Sequence, residues 1–305
     1  MRTTALLDDR PDLDADPDAG DLDLAEIATQ VDATAEAWLS GKARDSELSQ
    51  FAELLRECLQ AGGKRIRPVL CVLGWQAAGG RGEAGHVFRW AASLELFHLF
   101  ALIHDDVMDD SATRRGRPTV HRVMAARHPG GVGGAAADRF GSNSAILIGD
   151  LTLVWAEEML HADPQLAVPR SAVARQLVDA MRPEVMAGQY LDLAATGRVG
   201  CEVSEVLRIA RLKTAKYTVE PVAHQRATTG QRDTLRALVG QPNLDEDGAA
   251  RVRQILTDLQ VPQAVEEMIR TRYRQALRAL NQAPFTPPAA ASLRTIAGTI
   301  VARSA

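Results

Sequence analysis

One run of apolar residues constrains the fold more than any other part of this sequence. From Val87 to Ala101, apolar side chains recur at spacings of three and four residues, which is the repeat of one face of an α-helix. The run leads directly to Asp105 and Asp109, which are four residues apart and therefore share a face of the same helix. We predict a helix that packs in the core and ends in carboxylates.

The composition favours an all-α protein. Phe, Trp and Tyr make up only 4% of the 305 residues, and stretches rich in β-branched residues are few, so helix formers dominate. A chain of this length can bury one large core, and we expect one helical domain over residues 24–305. Residues 1–23 are acidic, with eight aspartates between positions 8 and 23, and we expect this tail to be disordered.

Basic residues follow the aspartates at once. Arg114 and Arg115 come where Gly116 and Pro118 should end the helix. Mg²⁺ is usually held by one or two protein carboxylates together with phosphate oxygens, and the arginine fork matches phosphate geometry. The pattern indicates a metal-bridged phosphate site, and the alternative is an acidic helix end that simply pairs with the arginines. The candidate metal ligands are Asp105, Asp106 and Asp109.

Further motifs lie on both sides of these aspartates. His98 is seven residues before Asp105, two helical turns away on the same stripe. The other motifs, in chain order, are Gly62-Gly63-Lys64-Arg65-Ile66-Arg67-Pro68, Gly149-Asp150, Gln189-Tyr190-Leu191-Asp192 and Lys213-Thr214-Ala215-Lys216-Tyr217. In this order they resemble the motifs of the trans-isoprenyl diphosphate synthases, the polyprenyl synthetases. The resemblance runs from about residue 25 to about residue 217 and resumes near the C-terminus.

The resemblance implies a helical bundle around a central cavity and an Mg²⁺-dependent enzyme. Such an enzyme condenses isopentenyl diphosphate with an allylic diphosphate, here to a C15 or C20 product. By resemblance, Phe100, five residues before Asp105, is a floor that limits chain length. The implied catalytic residues are Asp105, Asp109, Arg114 and Lys213. The implied substrate-binding residues are Lys64, Arg67, His98, Arg114, Arg115, Gln189, Lys213 and Thr214.

The sequence departs from this family in one respect. Family members carry a second aspartate-rich motif, preceded by Phe-Gln, some tens of residues after the Lys-Thr pair, and no such motif follows Tyr217 here. We therefore expect that several tens of residues are missing from the domain. The acidic cluster Asp245-Glu246-Asp247 lies in an expected surface loop and lacks the four-residue spacing. Two alternatives stay open: a terpene-cyclase-like enzyme that ionises a diphosphate, and an inactive or regulatory subunit that pairs with a complete homologue.

Charge and cysteine usage restrict the setting. A net charge of −4 gives no electrostatic footprint for nucleic acid. The three cysteines form no CxxC motif, which favours reduced thiols in the cytoplasm. No run approaches about 18 consecutive apolar residues, so we predict no membrane span. The resemblance implies a homodimer, or a heterodimer with a homologue.

Overall fold

The computed structural model describes residues 23–44, 48–77, 79–80, 84–130, 133–162, 169–196, 209, 228–238 and 245–302. Helices dominate these residues, and the all-α prediction is confirmed. The helices are α1 (Leu24–Lys42), α2 (Ser49–Gln60), α3 (Ile66–Ala77), α4 (Gly85–Met108), α5 (Val120–Ala126), α6 (Ala135–His161), α7 (Pro169–Ala195), α8 (Thr229–Leu238), α9 (Glu246–Asp258), α10 (Val261–Gln282) and α11 (Pro287–Val301). Two short strands, β1 (Thr113–Arg114) and β2 (Arg117–Pro118), lie between α4 and α5.

The chain forms two compact units. The first comprises Met1–Leu160 and Pro284–Leu293, and the second comprises His161–Ala283 and Arg294–Ala305. The expected disordered tail lies outside the described residues except for Asp23, which directly precedes α1. One domain over residues 24–305 therefore stays a prediction.

Helix α4 is the core helix of the first unit. It packs against α1, α3 and α5, and α1 packs in turn against α2 and α3. Leu96 of α4, Leu73 of α3 and Leu39 of α1 are fully buried, so the apolar stripe is covered by neighbouring helices as predicted. Among the described residues, α4 is long and apolar enough to cross a membrane by composition, but 67% of its most apolar window is buried inside the protein.

The C-terminus of α4 corrects one expectation. The helix ends at Met108 rather than near Gly116. Asp110 adopts a left-handed conformation (φ 49°), its amide donates to the Val107 carbonyl at 3.4 Å, and the Ser111 amide donates to the Asp106 carbonyl at 2.9 Å. These are the two hydrogen bonds of a Schellman cap, with aspartate in the position that glycine usually takes. The cap closes the helix before the residues that were expected to end it.

A β-hairpin turns the chain back after this cap. β1 and β2 are antiparallel, and Arg114 lies opposite Arg117. The two turn residues, Arg115 (φ 52°) and Gly116 (φ 75°), both have positive φ, as a two-residue hairpin turn of the primed type requires. The buried Thr119 fixes the base of the hairpin because its hydroxyl donates to the Ser111 carbonyl at 2.7 Å. The turn thereby presents two successive arginines beside the end of α4.

In the second unit, α9 packs against α8 and α10. The expectation of a surface loop at the acidic cluster is wrong for Glu246 and Asp247, which form the first turn of α9. Asp245 caps this helix, because its carboxylate accepts a hydrogen bond from the Gly248 amide at 2.8 Å. Acidic residues in a first helical turn also interact favourably with the helix dipole. The cluster therefore has a structural role as a helix start.

Candidate active site

The carboxylates at the end of α4 keep helical spacing. The Asp109 amide donates to the Asp105 carbonyl at 2.8 Å, so the two residues lie one helical turn apart, as predicted. Asp105 and Asp106 are buried, with 6% and 4% of their surface exposed, whereas Asp109 is exposed as the C-cap. Two acidic residues are thus held inside the protein at the helix end, with a third at its surface.

Arg114 neutralises these carboxylates. Its Nε lies 2.9 Å from both oxygens of Asp106, and its Nη2 donates to Asp106 Oδ1 at 2.7 Å and to Asp105 Oδ2 at 3.3 Å. The hydrogen bonds to Asp106 raise the pKa of Arg114 above its ordinary value. The alternative that an acidic helix end pairs with an arginine therefore holds for both Asp105 and Asp106. A metal ligand role for Asp106 stays a prediction, and it requires Arg114 to move.

The carboxylates fit a magnesium ion that a substrate helps to hold. Among the described residues, no group of three or more His, Cys, Asp or Glu side chains could hold a metal alone. Mg²⁺ typically uses one or two protein carboxylates and completes its shell with water and phosphate oxygens. Asp105 and Asp109, one turn apart, supply that number of hard oxygen donors.

An apolar cavity of about 170 Å³ adjoins these residues within the first unit. Its apolar walls include Leu54 and Leu59 of α2, Leu99 and Ile103 of α4, and Val120 and Val123 of α5. Its polar walls include Glu95, His98, Asp106, Arg114, Arg115 and Arg117. Cys58 also lines the cavity, and burial raises its pKa to about 11, so the thiol stays protonated. An apolar space thus opens beside a cluster of arginines.

His98 lies among these arginines. Burial, together with the positive charges of Arg67, Arg115 and Arg114, lowers the pKa of His98 to about 4. The imidazole is therefore neutral near pH 7. His98 and Arg115 line the same cavity, and the charge of Arg67 acts on the imidazole, so the structure brings together three of the residues predicted to bind isopentenyl diphosphate.

Arg65 is a residue that sequence reasoning did not select. It is buried, with 6% of its surface exposed, and it bonds to Asp32 of α1, Glu95 of α4 and the carbonyl of Leu59 of α2. A sequence signal existed, because Glu95 is a charged residue inside the apolar stripe of α4 and such a residue needs a buried partner.

The remaining predicted site residues lie in different places. Lys64 is exposed just before α3. Phe100 is buried and packs against Phe97 and His104, with ring centroids 5.5 and 4.8 Å apart, and its role as a chain-length floor stays a prediction. Gln189 lies on α7 in the second unit. Lys213 and Thr214 lie outside the described residues.

The Gly149-Asp150 motif meets the aspartate helix through His104. The imidazole Nε2 donates to the Ile146 carbonyl at 3.2 Å and lies 3.5 Å from Asp150 Oδ1. The ring also lies so close to Gly149 that a Cβ there would come within 2.4 Å of it. Two motifs distant in sequence thus fix the orientation of α4 against α6.

The structure defines an all-α protein in which an arginine hairpin pairs with buried carboxylates at the end of a core helix. The family model described as polyprenyl synthetase matches residues 49–241, and the chain belongs to this family. The match includes the end of α4 and the arginine hairpin.

Curated relatives and a solved structure agree with this assignment. The chain is 35% identical over 173 residues to the large subunit 1 of the chloroplastic heterodimeric geranylgeranyl pyrophosphate synthase of Arabidopsis thaliana. This match covers 53% of this chain and 42% of that protein. It is 35% identical over 157 residues to a short chain isoprenyl diphosphate synthase of Methanothermobacter thermautotrophicus, covering 52% and 42%. The chain therefore spans less than half the length of these relatives.

The geranylgeranyl pyrophosphate synthase of Corynebacterium glutamicum, solved with isoprenyl diphosphate and magnesium, superposes with a TM-score of 0.81. The two chains are 25% identical, and the match covers 93% of this chain and 100% of that one.

Proposed function

We propose that this chain is a prenyltransferase that uses Mg²⁺ to condense isopentenyl diphosphate with an allylic diphosphate, giving a C15 or C20 isoprenyl diphosphate. The observation that carries the proposal is the apolar cavity whose lining brings His98, Arg114 and Arg115 together with Asp106 of the carboxylate end of α4. Family membership and relatives that are named short chain and geranylgeranyl synthases support it.

The proposed roles follow from the chemistry of each side chain. Asp105 and Asp109 would hold Mg²⁺, which neutralises the charge that develops on the departing allylic diphosphate. Arg114 would exchange its carboxylate partner for a phosphate oxygen of the substrate, because guanidinium binds both in the same forked geometry.

The second diphosphate has its own cations. Lys64, Arg67 and Arg115 would bind isopentenyl diphosphate, and the neutral His98 can donate one N–H to a phosphate oxygen. The apolar cavity walls exclude water, which would otherwise capture the allylic cation before the double bond reaches it. Gln189, Lys213 and Thr214 are proposed to contact the allylic partner.

A second candidate is a subunit that is inactive alone and works with a complete homologue. The sequence favours it, since no second aspartate-rich motif follows Tyr217. The similarity to a protein named as the large subunit of a heterodimeric synthase is consistent with pairing. A terpene-cyclase-like activity is the third candidate, and the grouped Arg67 and Arg115 argue against it because ionisation alone needs no second diphosphate site. A homodimer in the cytoplasm is part of the first proposal.

One assay separates these candidates. The protein is incubated with Mg²⁺ and radiolabelled isopentenyl diphosphate, with and without allylic diphosphates, and the products are extracted. We expect a C15 or C20 diphosphate that is lost in Asp105→Asn and Asp109→Asn and retained in the control Asp247→Asn, an acid in the first turn of α9. Product formed only with a complete homologue would favour the subunit, and hydrocarbon product would favour the cyclase. No product under any condition would refute the proposal.

A further inference from the structure

Arg65 joins three helices beside Arg67 and Arg115, which we call the cation cluster. Its Nε donates to Asp32 Oδ1 of α1 at 2.6 Å, its Nη1 to Glu95 Oε1 of α4 at 2.8 Å, and its Nη2 to the Leu59 carbonyl in the last turn of α2 at 2.6 Å. Its side chain is 5% exposed, and its backbone has a φ of 47°. Since each of the three guanidinium nitrogens already has a protein acceptor, Arg65 does not need a substrate to be satisfied.

Glu95 connects this network to the predicted diphosphate ligands. It is buried, with 6% of its surface exposed, and burial raises its pKa above the ordinary value despite the positive charges of Arg65, Arg67 and Arg115. Glu95 accepts a hydrogen bond from Arg65 and lines the same cavity as Arg115, so its charge lies beside both guanidiniums. Without an anion among them, these like charges would repel one another in a partly desolvated site. Glu95 is the buried carboxylate that pairs with Arg65 beside these cations.

The backbone before Arg65 is packed against the same side chains. A Cβ built on Gly63 would lie 2.8 Å from Arg65 Nη1 and 3.0 Å from both terminal nitrogens of Arg115. The two guanidiniums therefore lie against one peptide segment, directly before Lys64. A shift of Arg65 would move the Gly63-Lys64 backbone and release Arg115 from it.

We propose that Arg65 is a positioning residue for the isopentenyl diphosphate site. Held by Asp32, Glu95 and the Leu59 carbonyl, it fixes the Gly63-Lys64 backbone and the Arg115 guanidinium that lies against this segment, so that Lys64 and Arg115 are held in place for a diphosphate. This role deepens the proposed function and rests on it. It differs from substrate contact, because Arg65 acts through the groups around it.

The test compares two arginine-to-lysine variants. Arg65→Lys keeps the charge but replaces the planar fork by a single ammonium, which cannot reach three acceptors placed around a guanidinium. Arg56→Lys is the matched control, because Arg56 also ties α2 to α1, through Glu36, but does not line the cavity. Titration calorimetry measures the dissociation constants for inorganic pyrophosphate and isopentenyl diphosphate, and a thermal melt reports the folded state.

We expect Arg65→Lys to weaken the binding of both ligands by about 10-fold or more, because the side chains that bind them lose their geometry. KM for isopentenyl diphosphate should rise, and kcat should change far less. Arg56→Lys should stay within about 2-fold of wild type, as expected for a partly exposed pair. A lower melting temperature with unchanged dissociation constants in Arg65→Lys would overturn the proposal, because a purely structural role does not change the affinity of the folded protein.

A milder variant decides the matter if Arg65→Lys does not fold. Asp32→Asn removes the charge of a partner whose side chain is 48% exposed, so the fold should tolerate it. We expect it to weaken pyrophosphate binding by about 3-fold, and an unchanged affinity would overturn the proposal. Failure of the proposed function gives a different result: wild-type protein would then bind neither ligand, which would overturn both.

Discussion

His98 should make the stability of this protein depend on pH in the weakly acidic range. Its pKa falls from 6.5 to about 4 in the folded protein. Between these values the unfolded chain binds a proton that the folded protein does not, so acidification favours unfolding. At pH 5 the two pKa values give a loss of about 2 kcal/mol relative to pH 7.5. The loss begins as the pH falls below about 6.5 and is complete below about 4.

The variant His98→Gln isolates this contribution. Glutamine keeps a polar side chain of similar length but does not titrate. Urea unfolding at pH 7.5, 6 and 5 measures the free energy of unfolding of both proteins, and the difference between them should shift by about 2 kcal/mol in favour of the variant at pH 5. A difference that is constant over this range would refute the burial of a neutral imidazole among arginines.

Diphosphate binding should partly reverse the effect. An anion between Arg67 and Arg115 offsets the positive charges that hold the His98 pKa down, so the imidazole should take up protons on binding near pH 5. Calorimetry of pyrophosphate binding in two buffers with different ionisation enthalpies measures this uptake. His98→Gln should show less uptake than wild type, and equal uptake would place the diphosphate away from His98.

Three further results are expected. Asp110→Gly should be more stable than Asp110→Ala by about 1 kcal/mol in urea unfolding, because alanine is strained at this left-handed cap. Equal stabilities of the two variants would contradict the cap. Neither variant should abolish Mg²⁺-dependent diphosphate binding. Phe100→Ala should lengthen the product by at least one five-carbon unit if Phe100 is the floor, and an unchanged product distribution would place the floor elsewhere. Replacement of Lys64, Arg67 or Arg115 by glutamine should in each case weaken isopentenyl diphosphate binding by about 1.5–3 kcal/mol in calorimetry. Unchanged affinities in all three variants would contradict this prediction.

The helical periodicity predicted α4 correctly because burial follows directly from the spacing of apolar residues. The helix end was mispredicted for a local reason. Gly116 and Pro118 are strong signals for a helix end, but Asp110 had already taken the left-handed position of the cap. Aspartate tolerates that conformation, but unlike glycine it gives no clear sequence signal for a helix end. Here its carboxylate also accepts a hydrogen bond from Arg122 at 2.8 Å. Such a cap depends on partners that are known only from the fold.

The candidate site was predictable in part. The resemblance implied Lys64, Arg67, His98 and Arg115 as one group. The structure places His98 and Arg115 on one cavity and lets the charge of Arg67 act on His98, while Lys64 is exposed before α3. The role of Arg65 was not predictable, because its partners come from α1, α2 and α4 and lie 33, 6 and 30 positions away in sequence. Glu95 signalled that a buried cation was needed, but four arginines of the same region could have supplied it.

The buried carboxylates of the candidate site are paired with the protein's own arginines, and these pairs bear on the proposed binding of a diphosphate. Arg114 occupies both oxygens of Asp106, and Arg65 occupies Glu95. These two pairs differ in burial: the Arg114 side chain is 29% exposed, whereas that of Arg65 is 5% exposed. Asp106 and Glu95 are both buried, so breaking either pair would leave a carboxylate without its partner, but the more exposed Arg114 could stay hydrated when it turns away, whereas Arg65 would itself be left as a buried charge. The hairpin arginine is suited to exchange partners during binding, and Arg65 is suited to stay in place.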